Sequence, residues 1–238
     1  MMRMRGAVAV AALVLVAVSG CEPGTEGSAG PEENPGGGGA ALAAAEALLV
    51  KGRAPKTGYD RDEFGSPWAD TDSNSCDTRD DILKRDLESV KFKDGDCMVA
   101  SGVLDPDPYT GEEVTFVRGR SQIDIDHIVA LSDAWQKGAQ QWDASKRIAL
   151  ANDPLNLLAV DAGTNRGKGD GDTATWLPPN KAYRCTYVAT QVAVKKKYGL
   201  WVTSAEQSAM KRVLTTCPDQ QLPSGGNPTK APARFHAN

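Results

Sequence analysis

Apolar positions along the chain change period from segment to segment, and the changes predict the elements. ALAAAEALLV, residues 41–50, reads as a first helix. RDDILKRDL, 79–87, makes a short amphipathic helix with Thr78 as its N-cap. Val90 to Phe92, Cys97 to Leu104 and Glu113 to Val117 read as strands, broken by the turn residues of DGD and DPDPYTG. SQIDIDHIVAL, 121–131, alternates like a strand and passes into a helix around Ala130 to Gln136. Ser145 to Ala151 gives a further helical turn, LNLLAV at 155–160 a short apolar strand, and Asn180 to Tyr198 a long helix. A last helix starts at the capping box Thr203-x-x-Glu206 and runs towards Thr216. No internal repeat is visible, and the pattern predicts one globular domain over 41–220.

The two ends lack this periodicity. Arg3 and Arg5 precede an apolar stretch, Gly6 to Val18, too short to span a bilayer comfortably. Ser19 and Gly20 then lead to Cys21, so residues 1–20 read as a signal peptide. VSGC looks like a bacterial lipobox, which predicts lipid on Cys21 and a place outside the cytoplasm, anchored to the cell membrane. Residues 22–40, rich in Gly, Pro and Glu, form a flexible tether with an r.m.s. span of about 25 Å. Residues 221–238, rich in Pro, Gly and Lys, read as a disordered tail.

Setting Cys21 aside leaves Cys76, Cys97, Cys185 and Cys217, and export favours disulfides. Of three possible pairings, proximity favours Cys76–Cys97 and Cys185–Cys217, each stabilising by about 3–4 kcal/mol in the chain-entropy model. Zinc has no ligand set, since no CxxC pair exists and only one histidine lies outside the tail. The net charge is −4, and removing Arg3 and Arg5 makes the chain more acidic. Bulk charge therefore argues against clinging to nucleic acid, and any polyanion must meet a local basic patch.

The chain has two histidines, and the one outside the tail, His127, follows Asp126 directly. Asp124 and Asp126 share a strand face, while Asp126 and His127 point apart unless the strand bends. Downstream, NDPLNLLAVDAGTNRGKGD, 152–170, places Asn156 at the head of an apolar strand, then Asn165 and Lys168. Asp126-His127, Asn156-Leu157-Leu158 and Asn165-Arg166-Gly167-Lys168 together resemble the HNH endonucleases. DIDHIV and NRGK look like the HNH domain of CRISPR effector nucleases. The wider sequence, from YDRDEFG near Tyr59 to the last helix, more closely resembles a secreted branch of that superfamily. That branch is related to the C-terminal nuclease of modification-dependent restriction enzymes.

The resemblance implies an α+β fold: a ββα-metal core over 122–170, with further short strands and flanking helices. It implies hydrolysis of phosphodiester bonds in DNA, or RNA, with one Mg²⁺ or Mn²⁺ ion. His127 is then the general base, with an imidazole pKa near neutrality. Asp126 and Asn165 offer the hard oxygen ligands such an ion takes. Asn156 holds the loop bearing His127. Lys168 and Arg166 supply charge to the phosphate. By position, Arg118 and Arg120 could extend that patch, as could the run Lys195-Lys196-Lys197, which the solvated face of a helix explains equally well.

Other features read as structure. DTDSNSCDTRDD, 70–81, has the alternation of a calcium loop in Asp70, Asp72 and Asn74, but Ser75 stands where such loops need Gly. GDGD, 169–172, reads as a turn, and Trp135, Trp176 and Tyr183 as core aromatics. Two other functions stay open: a surface lipoprotein using the scaffold only to bind, and a metal-dependent hydrolase of a cell-envelope phosphodiester. No feature points to a protein partner.

Overall fold

The computed structural model describes residues 40–120 and 122–237. The signal peptide, Cys21 and the tether therefore lie outside the described residues, apart from Ala40. Seven α-helices and five strands appear in the described residues: α1 (Ala40–Glu46), α2 (Thr78–Asp86), β1 (Glu88–Phe92), β2 (Val99–Leu104), β3 (Val114–Val117), β4 (Ile123–His127), α3 (Leu131–Gln136), α4 (Ala144–Ala151), β5 (Leu157–Asp161), α5 (Ala162–Lys168), α6 (Arg184–Tyr198) and α7 (Ser204–Leu214). Strands β1-β2-β3 form one antiparallel sheet, and β4-β5 a separate antiparallel pair. The fold is α+β, and β4, β5 and α5 supply the ββα unit.

Alternation in β4 sorts its side chains. Ile123 and Ile125 enter a core with Leu157 and Ala159 of β5, Ile82 and Leu83 of α2, and Val99 and Phe116 of the larger sheet. Asp124 and Asp126 face the other way, towards α5, whose Asn165 and Lys168 bond to them. A second core joins α1, α6 and α7 around Tyr109, Tyr187 and Met210. A third packs Trp135 of α3 and Ile148 of α4 against Phe64 and Tyr198. Trp135 is thus a core residue, and half-buried Trp176 and Tyr183 pack on the second core as expected.

Elements shift where polar groups find better partners. Asp77, not Thr78, caps α2 by accepting Asp80 N, while the Thr78 hydroxyl donates to Ala69 O. Asn180 caps a 3₁₀ turn at 181–183, so α6 starts only at Arg184. The capping box of α7 is present, with Thr203 and Glu206 each accepting from the other's backbone N–H. Disulfides Cys76–Cys97 and Cys185–Cys217 are both formed.

The tail differs from expectation. Residues 221–237 hold no helix or strand but lie on the domain. Asn227 N donates to Asp153 at 3.2 Å, Ala231 N to Ser145 O at 3.2 Å, and Arg234 to Asp70 O at 2.8 Å. Ala231 and Phe235 join the third core. Composition hides this, because the anchors are single polar groups on distant elements.

The lysine run is no open patch. Lys195 is fully buried, bonding Asp133 at 3.0 Å and Glu206 at 2.9 Å, and Lys197 bonds Asp153 at 2.6 Å. Lys137, also buried, bridges Asp133, Asp172 and Glu206, and Arg53 reaches Asp133 and Asp172. This cluster ties α3, α6 and α7 together through three cations and three carboxylates.

Candidate active site

Strand β4 ends at His127, and the chain turns away there under the control of Asn156. That amide is fully buried. Its Oδ1 accepts Val129 N at 2.8 Å, and its Nδ2 donates to Val129 O and Leu150 O at 3.3 Å each. Asn156 O also accepts Ile128 N at 2.8 Å. The residue therefore closes the turn after His127 from the far side of the hairpin.

His127 is 7 % exposed, and its Nε2 lies 2.9 Å from Ala151 O. A carbonyl only accepts, so Nε2 carries the proton and Nδ1 keeps the lone pair. Trp68 lies over the imidazole with ring planes 11° apart and centroids at 6.3 Å. Burial, then the nearby Arg61 and Lys168 cations, outweigh the Ala151 bond and Asp126 and lower the imidazole pKa to about 4. The ring is neutral at pH 7, with a pKa further below neutrality than its sequence suggests.

Asp126 is buried on the opposite strand face. Its Oδ2 accepts the Tyr109 hydroxyl at 2.5 Å, and its Oδ1 meets the Lys168 ammonium at 2.8 Å. Lys168, whose side chain is fully buried, also donates to His127 O at 2.8 Å. It therefore braces the Asp-His pair from within, away from solvent. Asn165, one turn earlier on α5, donates Nδ2 to Asp124 at 3.4 Å, which leaves its Oδ1 free to accept. The i, i+3 spacing puts both side chains on the helix face that meets Asp124 and Asp126.

Around the strand end, the faces meet. One open cavity of about 230 Å³ is lined by Asp126, His127 and Asn165, with Tyr59, Arg61 and Asp170. A narrower cleft, which shares Arg61, His127 and Leu131 with it, is lined also by Trp68 and Asn152. Among the described residues no group of three His, Cys, Asp or Glu side chains converges. An ion here would draw most of its ligands from water, as Mg²⁺ does. The donors suit it: an amide oxygen, and a carboxylate whose oxygens each keep a second lone pair.

The outlying candidates divide. Arg166 and Arg120 are exposed, with no ion-pair partner among the described residues. Arg118 is committed elsewhere, pairing with Asp80 and donating to Val99 O at 2.6 Å. In the 70–81 loop, Asp70 and Asp72 accept backbone N–H groups of Asn74 and Ser75, and Asn74 Nδ2 donates to Asp81. Asp170 pairs with Lys56, and Asp172 belongs to the buried ionic cluster. Tyr109, Trp68 and Arg61 carry no signal by residue type. Arg61 falls in YDRDEFG, a stretch that marks resemblance without assigning a role.

Residues 77–213 match the family model described as GmrSD restriction endonucleases, C-terminal domain. A protein of Arthroderma benhamiae, named only as an uncharacterized secreted protein, is 43% identical over 172 residues, 71% of this chain and 81% of its own. No solved structure matches. Among the described residues no helix is long and apolar enough to cross a membrane. With more than half its length under the family model and that relative alongside, the chain belongs to the family of the GmrSD C-terminal nuclease domain.

Proposed function

We propose that the protein is an exported endonuclease of the HNH type that hydrolyses phosphodiester bonds in DNA, held to the membrane by lipid on Cys21. The observation that carries the reading is one cavity bordered by Asp126, His127 and Asn165, side chains from a strand and a following helix. The family match supports a nuclease, and the relative's description supports export.

Each side chain then has a task. His127, neutral and protonated on Nε2, takes a proton from water at Nδ1 as the water oxygen bonds to phosphorus. The bond to the 3′ oxygen breaks, and that oxygen collects a proton from solvent. Asp126 and Asn165 hold a Mg²⁺ or Mn²⁺ ion, which when bound supplies Lewis-acid charge to the phosphate oxygens. Asn156 fixes the turn that aims the imidazole, and Lys168 fixes Asp126 against it. Arg166 and Arg120 meet flanking phosphates; Arg118, already paired, serves the fold.

The test is plasmid cleavage at neutral pH with Mg²⁺ or Mn²⁺, with and without EDTA. Nicking that EDTA stops, and that His127→Ala reduces by about 10²–10⁴-fold, is the expected result. Intact plasmid under every metal condition sinks the nuclease reading and leaves a binding module. Wild-type cutting by His127→Ala refutes the assignment of the base.

A further inference from the structure

We propose that Arg61 binds the phosphate of the substrate beside His127, an inference that rests on the nuclease reading above. The residue lies outside the matched segment 77–213. It opens a 3₁₀ turn, Arg61–Phe64, capped by Asp60, whose side chain accepts Asp62 N. Phe64 is buried in the third core, and Gly65 ends the turn at φ 78°. A Cβ on Gly65 would sit 2.6 Å from Ile148 Cγ1, so the turn is pressed against α4. The backbone under Arg61 is therefore fixed, while its side chain is exposed.

That side chain borders both hollows that meet at His127. Charge around the cavity singles it out. Lys168 is spent on Asp126, Lys56 on Asp170, and Arg118 on Asp80. No carboxylate lies within ion-pair distance of Arg61 among the described residues. The cavity's two acids are thus each matched by a lysine, and Arg61 leaves it net positive in a chain of net charge −4. Phosphodiester hydrolysis gathers negative charge on the phosphate oxygens. A guanidinium offers them two parallel N–H donors, which an ammonium cannot.

Arg61→Ala and Arg61→Lys should be made in the full chain and in the His127→Ala background. In the active background, Arg61→Ala should lower kcat/KM on DNA by about 10²–10³-fold, with Arg61→Lys recovering part. In the inactive background, duplex binding should lose about one phosphate contact from its salt dependence. The melting temperature should hold, because the guanidinium has no ion-pair partner among the described residues. Should it fall, Arg61→Gln, which keeps the stem and loses the charge, decides the matter: wild-type kcat/KM and salt slope in a stable Arg61→Gln overturn the proposal. Wild-type kcat/KM and slope in Arg61→Ala overturn it too, leaving the nuclease reading intact. If the unaltered protein cuts nothing yet the slope falls, the nuclease reading fails and the phosphate site stands.

Discussion

At the scale of single residues, the proposed site is organised by buried groups, Lys168 and Asn156. NRGK suggests a phosphate contact at Lys168, yet its ammonium is buried between Asp126 Oδ1 and His127 O. The motif reveals the position of Lys168 and not its direction, because a helix of seven residues can turn its fourth or seventh side chain either way. Asn156 is legible in place, and its side chain bonds the turn after His127, where a buried turn needs one group able to donate and accept. Replacing Lys168 by Met should destabilise by about 3–5 kcal/mol, the cost of stranding a buried carboxylate. Adding Mg²⁺ should then raise the melting temperature more in the variant than in the unaltered protein, as a second cation replaces the first. Thermal unfolding with and without metal measures both effects, and equal shifts would separate Lys168 from Asp126.

At the scale of elements, α3, α6 and α7 are joined by charge as well as by apolar contact. Periodicity locates all three, but Lys195-Lys196-Lys197 at the end of α6 reads as an open basic face. The pattern misleads because Asp133 and Glu206, which pair with Lys195, sit on other helices, where the periodicity of α6 does not show them. Burial alone would raise the Asp133 carboxyl. Lys195, Lys137 and Arg53 outweigh it and hold the pKa at about 2, below the ordinary 3.8. Lys195, despite burial, is raised above its ordinary 10.5 by Asp133 and Glu206. A depressed carboxyl stabilises the fold above pH 3.8, and that share is lost as pH falls to about 2. A raised lysine stabilises below 10.5 and loses its share above that. Urea midpoints across pH should therefore fall at both ends, and Glu206→Gln should flatten the alkaline fall by removing one of the anions that raise Lys195.

At the scale of the whole molecule, stretches on both sides of the matched segment bear on the proposed site, one directly and the other through it. The strap carrying Arg61 and Trp68 comes before that segment, and the tail that steadies this strap comes after. Arg234 donates to Asp70 O and Ser73 Oγ, just past Trp68, and Phe235 packs in the core that holds Phe64. Trp68 has φ 59°, a left-handed conformation costly for a bulky side chain, so the surroundings must hold it there. The two disulfides staple other parts of the chain, before α2 and across α6 and α7, and leave the strap to these weaker ties. Removing residues 229–238 should then act on catalysis more than on folding. Asp153 keeps Asn227, Lys197 and Tyr198, so the melting point should fall modestly, while kcat should drop as Trp68 loosens over His127. Hydrogen exchange should show the loss of protection confined to residues near 60–75. Restoring the tail as a separate peptide should return part of the activity; a truncated protein with full kcat and an unchanged strap would detach the tail from the site.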